Sequence, residues 1–390
     1  MKRIVFFDLE GWARDDMIWG LLIAGEDPVR SSCRVPDCLY TEEKLESVMA
    51  ELHDADMAIT QDFSAVVAEA CYRLNRIYLC WVYDAPQRAL YMSEALYETN
   101  IIFIFDRMEQ KLLEKRGVKH LYHRPLAANI SRSSALSITD EDIRGFSSQI
   151  SFVGDLYLDE KREKWLEDLP ESEKDGAEQW LKDGLGIWKE RGPWISSLDP
   201  GIIDALYQGL NHSGEEHFSF SRPEIVSSIL SRLQTSRERV YALNRLAERF
   251  DTHLYTHHVE ESAEKLKNVH IHPPVSYDSD QLRVFYSSKI NLNITMRSIE
   301  SGIPQRIFDI MSVGGFVLSN YQPEMTECFV SGKEVELFCD WEEMEEKAAY
   351  YLSHENERQR IALAGYRKVK EQFDIGRAMK EMLKMAALRT

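Results

Sequence analysis

The feature that most constrains this chain is a series of short apolar runs without the alternation of a half-solvated strand. Ile4–Phe7, Met57–Thr60, Ile77–Val82 and Ile101–Phe105 are of this kind, and Val118–Tyr122 is a weaker example. Strands covered on both faces read this way, and such strands belong to parallel sheets. Between the runs lie amphipathic stretches of helical period at roughly 41–53, 62–75, 87–98 and 107–116. Strand–helix alternation of this sort predicts right-handed βαβ units, hence a Rossmann-like domain.

A polar stretch, Asn129–Ser148, reads as a linker with a short helix near Asp140–Gly145. A second series of strands then follows at Ile150–Val153, Thr252–Thr256, Val269–His272, Ile290–Ile294, Phe316–Ser319 and Glu336–Cys339. Helices are expected at 278–287, 304–313, 323–327, 341–353 and 355–372, with a last one from Gly376 to Leu388. From Asp159 to Arg249 the chain is charged and helical, carries Trp165, Trp180, Trp188 and Trp194, and is cut by Pro170, Gly184, Gly186, Gly192, Pro193 and Pro200-Gly201. This predicts a helical insertion in the second domain, with the tryptophans as anchors of small helices. The α/β expectation is therefore two open parallel-sheet domains: residues 1–147, residues 148–375 with an insertion at about 159–249, and a closing helix at 376–390. Ligands of such sheets bind beyond the carboxyl ends of the strands. The 390 residues suffice for two or three domains without a metal or disulfide staple.

The net charge is −18, which argues against a broad nucleic-acid face and leaves room for a small basic pocket. The six cysteines form no C-x-x-C pair, and several sit in apolar runs, so they are expected to be reduced core residues of a cytoplasmic protein. The opening Met1-Lys2-Arg3 is followed by only four apolar residues before Asp8, too few for a secretory leader, and no apolar run reaches membrane-spanning length.

The richest segment runs from Asn291 to Ser319. A strand leads into a loop with Arg297, Ser301 and Gly302, and Pro304 opens a helix whose first turn carries Arg306. Proline at a helix start forfeits only an N–H that has no partner, so the turn offers free donors and a positive dipole end. Anion binding, most simply of a diphosphate, is the expectation, with Asp309 one turn on to accept from sugar hydroxyls. Gly154, just after the first strand of the second domain, would let backbone approach a phosphate.

Pro304-Gln-Arg-Ile-Phe-Asp-Ile-Met-Ser-Val-Gly-Gly315 resembles the P-x-R-x-F-[E/D]-x-x-x-x-G signature of CgeB-like (spore maturation protein) glycosyltransferases. Ile150-Ser-Phe-Val-Gly-Asp-Leu-Tyr157, Ser236–Asn244 with Thr252–Thr256, and Trp81-Val-Tyr-Asp-Ala-Pro86 agree with that family in order and spacing. The resemblance spans about residues 75–375. It implies a GT-B fold, with a nucleotide-sugar domain at the carboxyl side, an acceptor domain at the amino side and a last helix that crosses back to the first domain. It also implies a bacterial, metal-independent hexosyltransferase-like enzyme without a cofactor, in which the helix end and a basic residue neutralise the leaving diphosphate. The chain carries no D-x-D loop for a metal: Asp278-Ser-Asp280 has the spacing but opens a helix and reads as an N-cap. Retaining enzymes of glycosyltransferase family 4 carry two glutamates with seven residues between them. Ser301 and Asp309 stand at those positions here, with Glu300 one residue off register, and the stereochemical course stays open.

Asp84 follows a doubly buried strand and precedes Pro86, which places a general base for the acceptor at a cleft edge. The competing role is a cap for the helix expected from Gln87. Asp8, Glu10 and Gly11, after the first strand, are the alternative acceptor-side residues. His257 and His258 end another strand, and His257 is assigned to the donor. With no cysteine or carboxylate in ligand spacing to the histidines, no metal site is expected. The tail from Glu357 is locally basic, a solvated helical face by default that leaves a peripheral membrane contact open. The expected partners are thus a nucleotide sugar and a glycan or protein acceptor. The alternatives are a non-catalytic nucleotide-sugar sensor and a GT-B-shaped sugar-nucleotide epimerase.

Overall fold

The computed structural model describes residues 3–9, 11, 13–188, 194–210 and 218–388. The first part of the chain runs β1 (Ile4–Asp8), α1 (Arg14–Ala24), β2 (Val29–Arg34), α2 (Glu42–Leu52), β3 (Met57–Gln61), α3 (Ala65–Leu74), β4 (Ile77–Trp81), β5 (Asn100–Ile104), α4 (Arg107–Lys115) and β6 (Leu121–His123). Its six strands form one parallel sheet in the order β2-β1-β3-β4-β5-β6. β3 and β5 are buried at every position, as their unbroken apolar runs require.

Two short helices, α5 (Ile130–Ala135) and α6 (Asp140–Phe146), occupy the polar connection. The second sheet begins with β7 (Ser148–Val153). Between β7 and β8 (Thr252–Tyr255) lie α7 (Glu160–Glu167), α8 (Glu171–Asp183), α9 (Pro200–Gln208) and the long α10 (Arg222–Ala247). These helices pack round a small core of their own, including Leu166, Leu181, Leu206 and Leu230. Trp165 donates to the Leu206 carbonyl at the end of α9, 3.1 Å away, which fixes α7 to α9. The chain continues through α11 (Val259–Lys265), β9 (His270–His272), α12 (Asp280–Ser287), β10 (Ser288–Asn293), α13 (Gln305–Ser312), β11 (Val317–Asn320), α14 (Pro323–Cys328) and β12 (Glu336–Phe338). It ends with α15 (Trp341–Ser353), α16 (Glu355–Gln372) and α17 (Ile375–Ala387). The second sheet is also parallel throughout, in the order β12-β11-β10-β7-β8-β9. The strand order reverses at β7/β10, the place where open α/β sheets leave a crevice.

The two Rossmann-like units face each other across apolar contact. A single buried cluster joins Trp81, Phe103 and Phe105 of the first to Val153, Ile303 and Phe308 of the second. α17 lies on α1, where Met17, Ile18 and Leu21 share that cluster with Ile375, Met379 and Met382.

Several local expectations change. β2 and α1 were not foreseen. β2 reads Val-Arg-Ser-Ser-Cys-Arg and sits half in solvent at the sheet edge, so it lacks the apolar run that marks β1, β3, β4 and β5. The helix expected over 87–98 is instead two short 3₁₀ turns, Arg88–Tyr91 and Ser93–Leu96, separated by an extended Met92. Asp278 does not cap α12. Ser279 is the first non-helical residue, the Ser276 hydroxyl accepts from Asp280 N–H, and Asp278 faces Arg132 at 3.8 Å. All six cysteines are free, with Cys71 and Cys80 buried. Among the described residues no helix is long and apolar enough to cross a membrane.

Candidate active site

A cleft of about 400 Å³ opens between the two units. Its walls are the loops at the carboxyl ends of β4, β7, β8 and β10 and the first turn of α13. Pro304 is extended, with φ −69° and ψ 149°, and stands as the residue before the helix, so α13 starts one position later than its sequence suggests. The backbone N–H groups of that first turn have no partner four residues back, and the helix dipole adds partial positive charge there.

Arg306 lies across the cleft wall. Its Nη1 donates to Asn293 Oδ1 at 2.8 Å, and its guanidinium carbon sits 5.1 Å from the centre of the Phe152 ring. Arg239 of α10 lies over the same ring at 5.1 Å and over Tyr157 at 4.9 Å. Burial together with the neighbouring Arg239 pushes the Arg306 pKa down to about 10, so it remains cationic at neutral pH. The two guanidiniums thus flank one ring, and among the described residues no carboxylate pairs with Arg306.

Gly154 is what lets Arg306 reach this position. A β-carbon at Gly154 would stand 2.5 Å from Arg306 Nη2, and the residue's φ of 153° is itself a conformation that side chains rarely adopt. The glycine thus makes room for the guanidinium. Gly154→Ala is therefore expected to displace Arg306 and weaken nucleoside-diphosphate affinity at least tenfold. Calorimetry on the folded variant measures it, and unchanged affinity would show that Arg306 does not need this seat.

Asp309 is 1% exposed and lines the same cleft. Arg132 at 3.2 Å and Gln305 at 3.1 Å donate to its Oδ1, and the Tyr277 hydroxyl 3.5 Å away gives its proton to Asp16 at 2.8 Å, so among the described residues Oδ2 is left for a ligand hydroxyl. Arg132 also faces Asp16 of α1 at 3.3 Å and lies over the Tyr277 ring, which ties α1, α5 and α13 together. Burial pushes the Asp309 pKa up to about 6 against the pull of Arg132.

Across the cleft stands Asp84, its side chain open to the enclosed cleft and not to bulk water, between the buried Tyr83 and Ala85. It caps no helix: the 3₁₀ turn after it begins at Gln87 without a side-chain cap. Instead its own N–H, at 3.3 Å, and that of Tyr83, at 2.7 Å, donate to Asp62 Oδ1. The Asp62 carboxylate, at the end of β3, thus holds the backbone of the neighbouring loop after β4. Desolvation raises the pKa of both carboxylates, and the Asp84 charge adds to the rise at Asp62. His257 lines the cleft from the end of β8 and is exposed.

The remaining sequence-predicted residues fall elsewhere. Arg297 is 7% exposed and bonds to Glu238 of α10, with Nε 2.8 Å from Oε2; it also donates to the Ile187 and Gly184 carbonyls. It holds the insertion to the β10 loop and does not line the cleft. Ser301 and Gly302 point their N–H groups at Asp106 of the first unit, 2.9 and 3.1 Å away, and Asp106 also caps α4. That loop does bind an anion, but the anion is the facing unit's own carboxylate. A side chain at Gly302 would collide with Phe105, so glycine here permits the close approach of the two units. Glu300 lines a neighbouring cavity of about 420 Å³ with Arg107 and Lys111, and burial raises its pKa to about 7. Asp8 pairs with Arg14 at 2.7 Å, and Gly11 lies against the Gln61 side chain. Both sit at the carboxyl end of the first sheet and outside the cleft lining. Glu10 is outside the described residues.

Asp62, Arg132, Arg239 and Tyr277 had no place in the sequence reading of the site. Arg239 stood inside the Ser236–Asn244 segment but gave no local sign of facing Phe152. The others meet the cleft only through tertiary packing.

Residues 216–384 match the sequence model of a family described as "Glycosyl transferase-like". No curated protein matches the sequence. Among solved structures, Anabaena Alr3699/HepE in complex with UDP and glucose is similar at a TM-score of 0.59 and 10% identity, over 98% of this chain and 100% of that one. A glycosyltransferase from Rickettsia africae ESF-5 is similar at 0.54 and 12%, over 99% and 98%. T4 phage BGT in complex with its UDP-glucose substrate is similar at 0.53 and 8%, over 98% and 99%. Likeness at this identity concerns the fold: two facing Rossmann-like domains with a helical insertion, the GT-B arrangement.

Proposed function

We propose that the protein is a glycosyltransferase that moves a sugar from a nucleoside-diphosphate donor to a hydroxyl of a glycan or protein acceptor. One observation carries the reading: Arg306 is seated on Gly154 at the amino end of α13, inside the inter-domain cleft and opposite Asp84. The family match over 216–384 covers α13 with Arg306, while Gly154 and Asp84 lie before it. The structurally similar proteins with bound UDP or UDP-glucose make UDP-sugars the first donors to test. The finer CgeB-like assignment rests on the four segments quoted above.

In the step proposed, the bond between the sugar's anomeric carbon and the diphosphate oxygen breaks and its electron pair stays on the diphosphate. Arg306 and the α13 N–H groups stabilise that charge as it develops. The acceptor oxygen forms the new bond, and its proton passes to the Asp84 carboxylate. Asp309 Oδ2 accepts a hydroxyl of the nucleotide's ribose. Closure of the two units round the cleft limits hydrolysis of the donor.

Isothermal titration with UDP, GDP and dTDP, coupled to a donor-hydrolysis assay, tests this reading. Binding with slow hydrolysis supports it, binding with no turnover on any acceptor supports a sensor, and C-epimerised donor supports an epimerase. In this mechanism cationic side chains and a helix end carry the leaving charge, so EDTA is expected to leave transfer unchanged. Activity lost on chelation and restored by Mn²⁺ or Mg²⁺ would contradict that.

A further inference from the structure

A second cluster of chemistry-bearing side chains lies on the edge of the second sheet, at the amino end of β8 rather than at the carboxyl end that borders the cleft. Asp251 and His253 are two residues apart and so share one face of the strand entry. His270 is the direct register partner of His253 on β9, the edge strand. The pairing brings three ligand-type atoms together, all within 4.8 Å of one another.

The separations suit a cation. A metal bound to nitrogen and oxygen at about 2.0–2.2 Å in tetrahedral geometry sets its ligand atoms about 3.3–3.5 Å apart. His253 Nε2 lies 3.1 Å from Asp251 Oδ1, and His270 Nε2 lies 3.5 Å from the same oxygen. The His270 side chain is 64% exposed, so its ring can turn to close the third edge.

The other ring nitrogen of His253 is also placed as a ligand histidine requires. Its Nδ1 is 3.0 Å from His272 Nε2, and His272 in turn stacks on Tyr255 with ring centres 4.6 Å apart. Metal on Nε2 leaves the proton on Nδ1, which then donates to His272; the second histidine thereby fixes both tautomer and ring orientation. The Asp251 N–H donates to the Gln149 side chain at 2.8 Å, which anchors the carboxylate's backbone.

We propose that Asp251, His253 and His270 form a binding site for one divalent transition metal of the zinc class, with His272 as the positioning residue and the fourth position open to solvent. Two imidazoles and one carboxylate select Zn²⁺, Ni²⁺ or Cu²⁺ over Mg²⁺ or Ca²⁺. The bound ion clips β9 to β8. His253 and the cleft residue His257 are four positions apart, about 13 Å of extended chain, so the ion takes no part in the transfer step. This site is independent of the function proposed above.

The test uses the whole protein, freed of metal by dialysis and titrated with Zn²⁺ by calorimetry, with Co²⁺ absorption as a second readout. One saturable site per chain is expected. His253→Ala and His270→Ala each weaken it at least tenfold, and His272→Phe weakens it about 10–100-fold, as loss of an outer partner does. Mg²⁺ should not compete. Circular dichroism checks that the variants are folded, and Asp251→Asn, which keeps the side chain's shape, gives a milder second probe. No saturable binding, or binding equal to wild type in the His253→Ala/His270→Ala double variant, overturns the proposal.

Discussion

Arg306→Ala is expected to lower donor turnover about 10²-fold or more, because one charge-assisted contact to a developing negative charge is worth about 2.7–4 kcal/mol in a preorganised site. The structure makes this substitution a clean probe. Arg306 is held by one hydrogen bond to Asn293 and by the Phe152 ring, and it makes no ion pair among the described residues. Burial and the adjacent Arg239 both disfavour its charge, so removing it costs the fold little. The expected signature is a fall in kcat/KM for transfer and for donor hydrolysis alike, at an unchanged melting temperature. Arg306→Lys keeps the charge but loses the planar fork, so it recovers only part of the activity. Unchanged kcat/KM in Arg306→Ala would remove the anion subsite from the account.

Asp84→Asn is expected to reduce transfer to acceptor by about 10²–10⁴-fold while leaving nucleotide binding intact, the range general-base catalysis supplies. Asp84 has no capping role, so the amide should fold as the acid does. Its pH dependence carries the sharper information. The base works only when ionised, so activity falls as pH drops through its pKa. Desolvation places that acid limb above the ordinary aspartate value of about 3.9. Asp62, pushed up to about 7, is protonated where Asp84 ionises, so Asp62→Asn is expected to leave that limb in place. An Asp84→Asn enzyme with full transfer activity would retire the base.

What the sequence disclosed follows a physical division. Doubly buried strands announce themselves through unbroken apolar runs, so β1, β3, β4 and β5 were legible. The edge strand β2 was not, because half its surface is wet and its residues are polar. Helix-start chemistry is local, so Pro304 and Arg306 marked an anion-facing turn from their order alone. Arg297 carried the same local signal and led elsewhere: its partner Glu238 lies on a distant helix, and a buried guanidinium goes to the nearest buried carboxylate. Ser301 and Gly302 likewise present N–H donors, but Asp106 of the facing domain occupies them. Register across β8 and β9, which joins His253 to His270 over seventeen positions, leaves no local mark at all.

Crystals soaked with UDP, GDP and dTDP and their sugars test the central claim most directly. The account predicts a diphosphate lodged between Gly154 and the first turn of α13, in contact with the Arg306 guanidinium, with the ribose at Asp309 and the sugar facing Asp84. Nucleotide density elsewhere on the protein, or a diphosphate that makes no contact with Arg306, would contradict it.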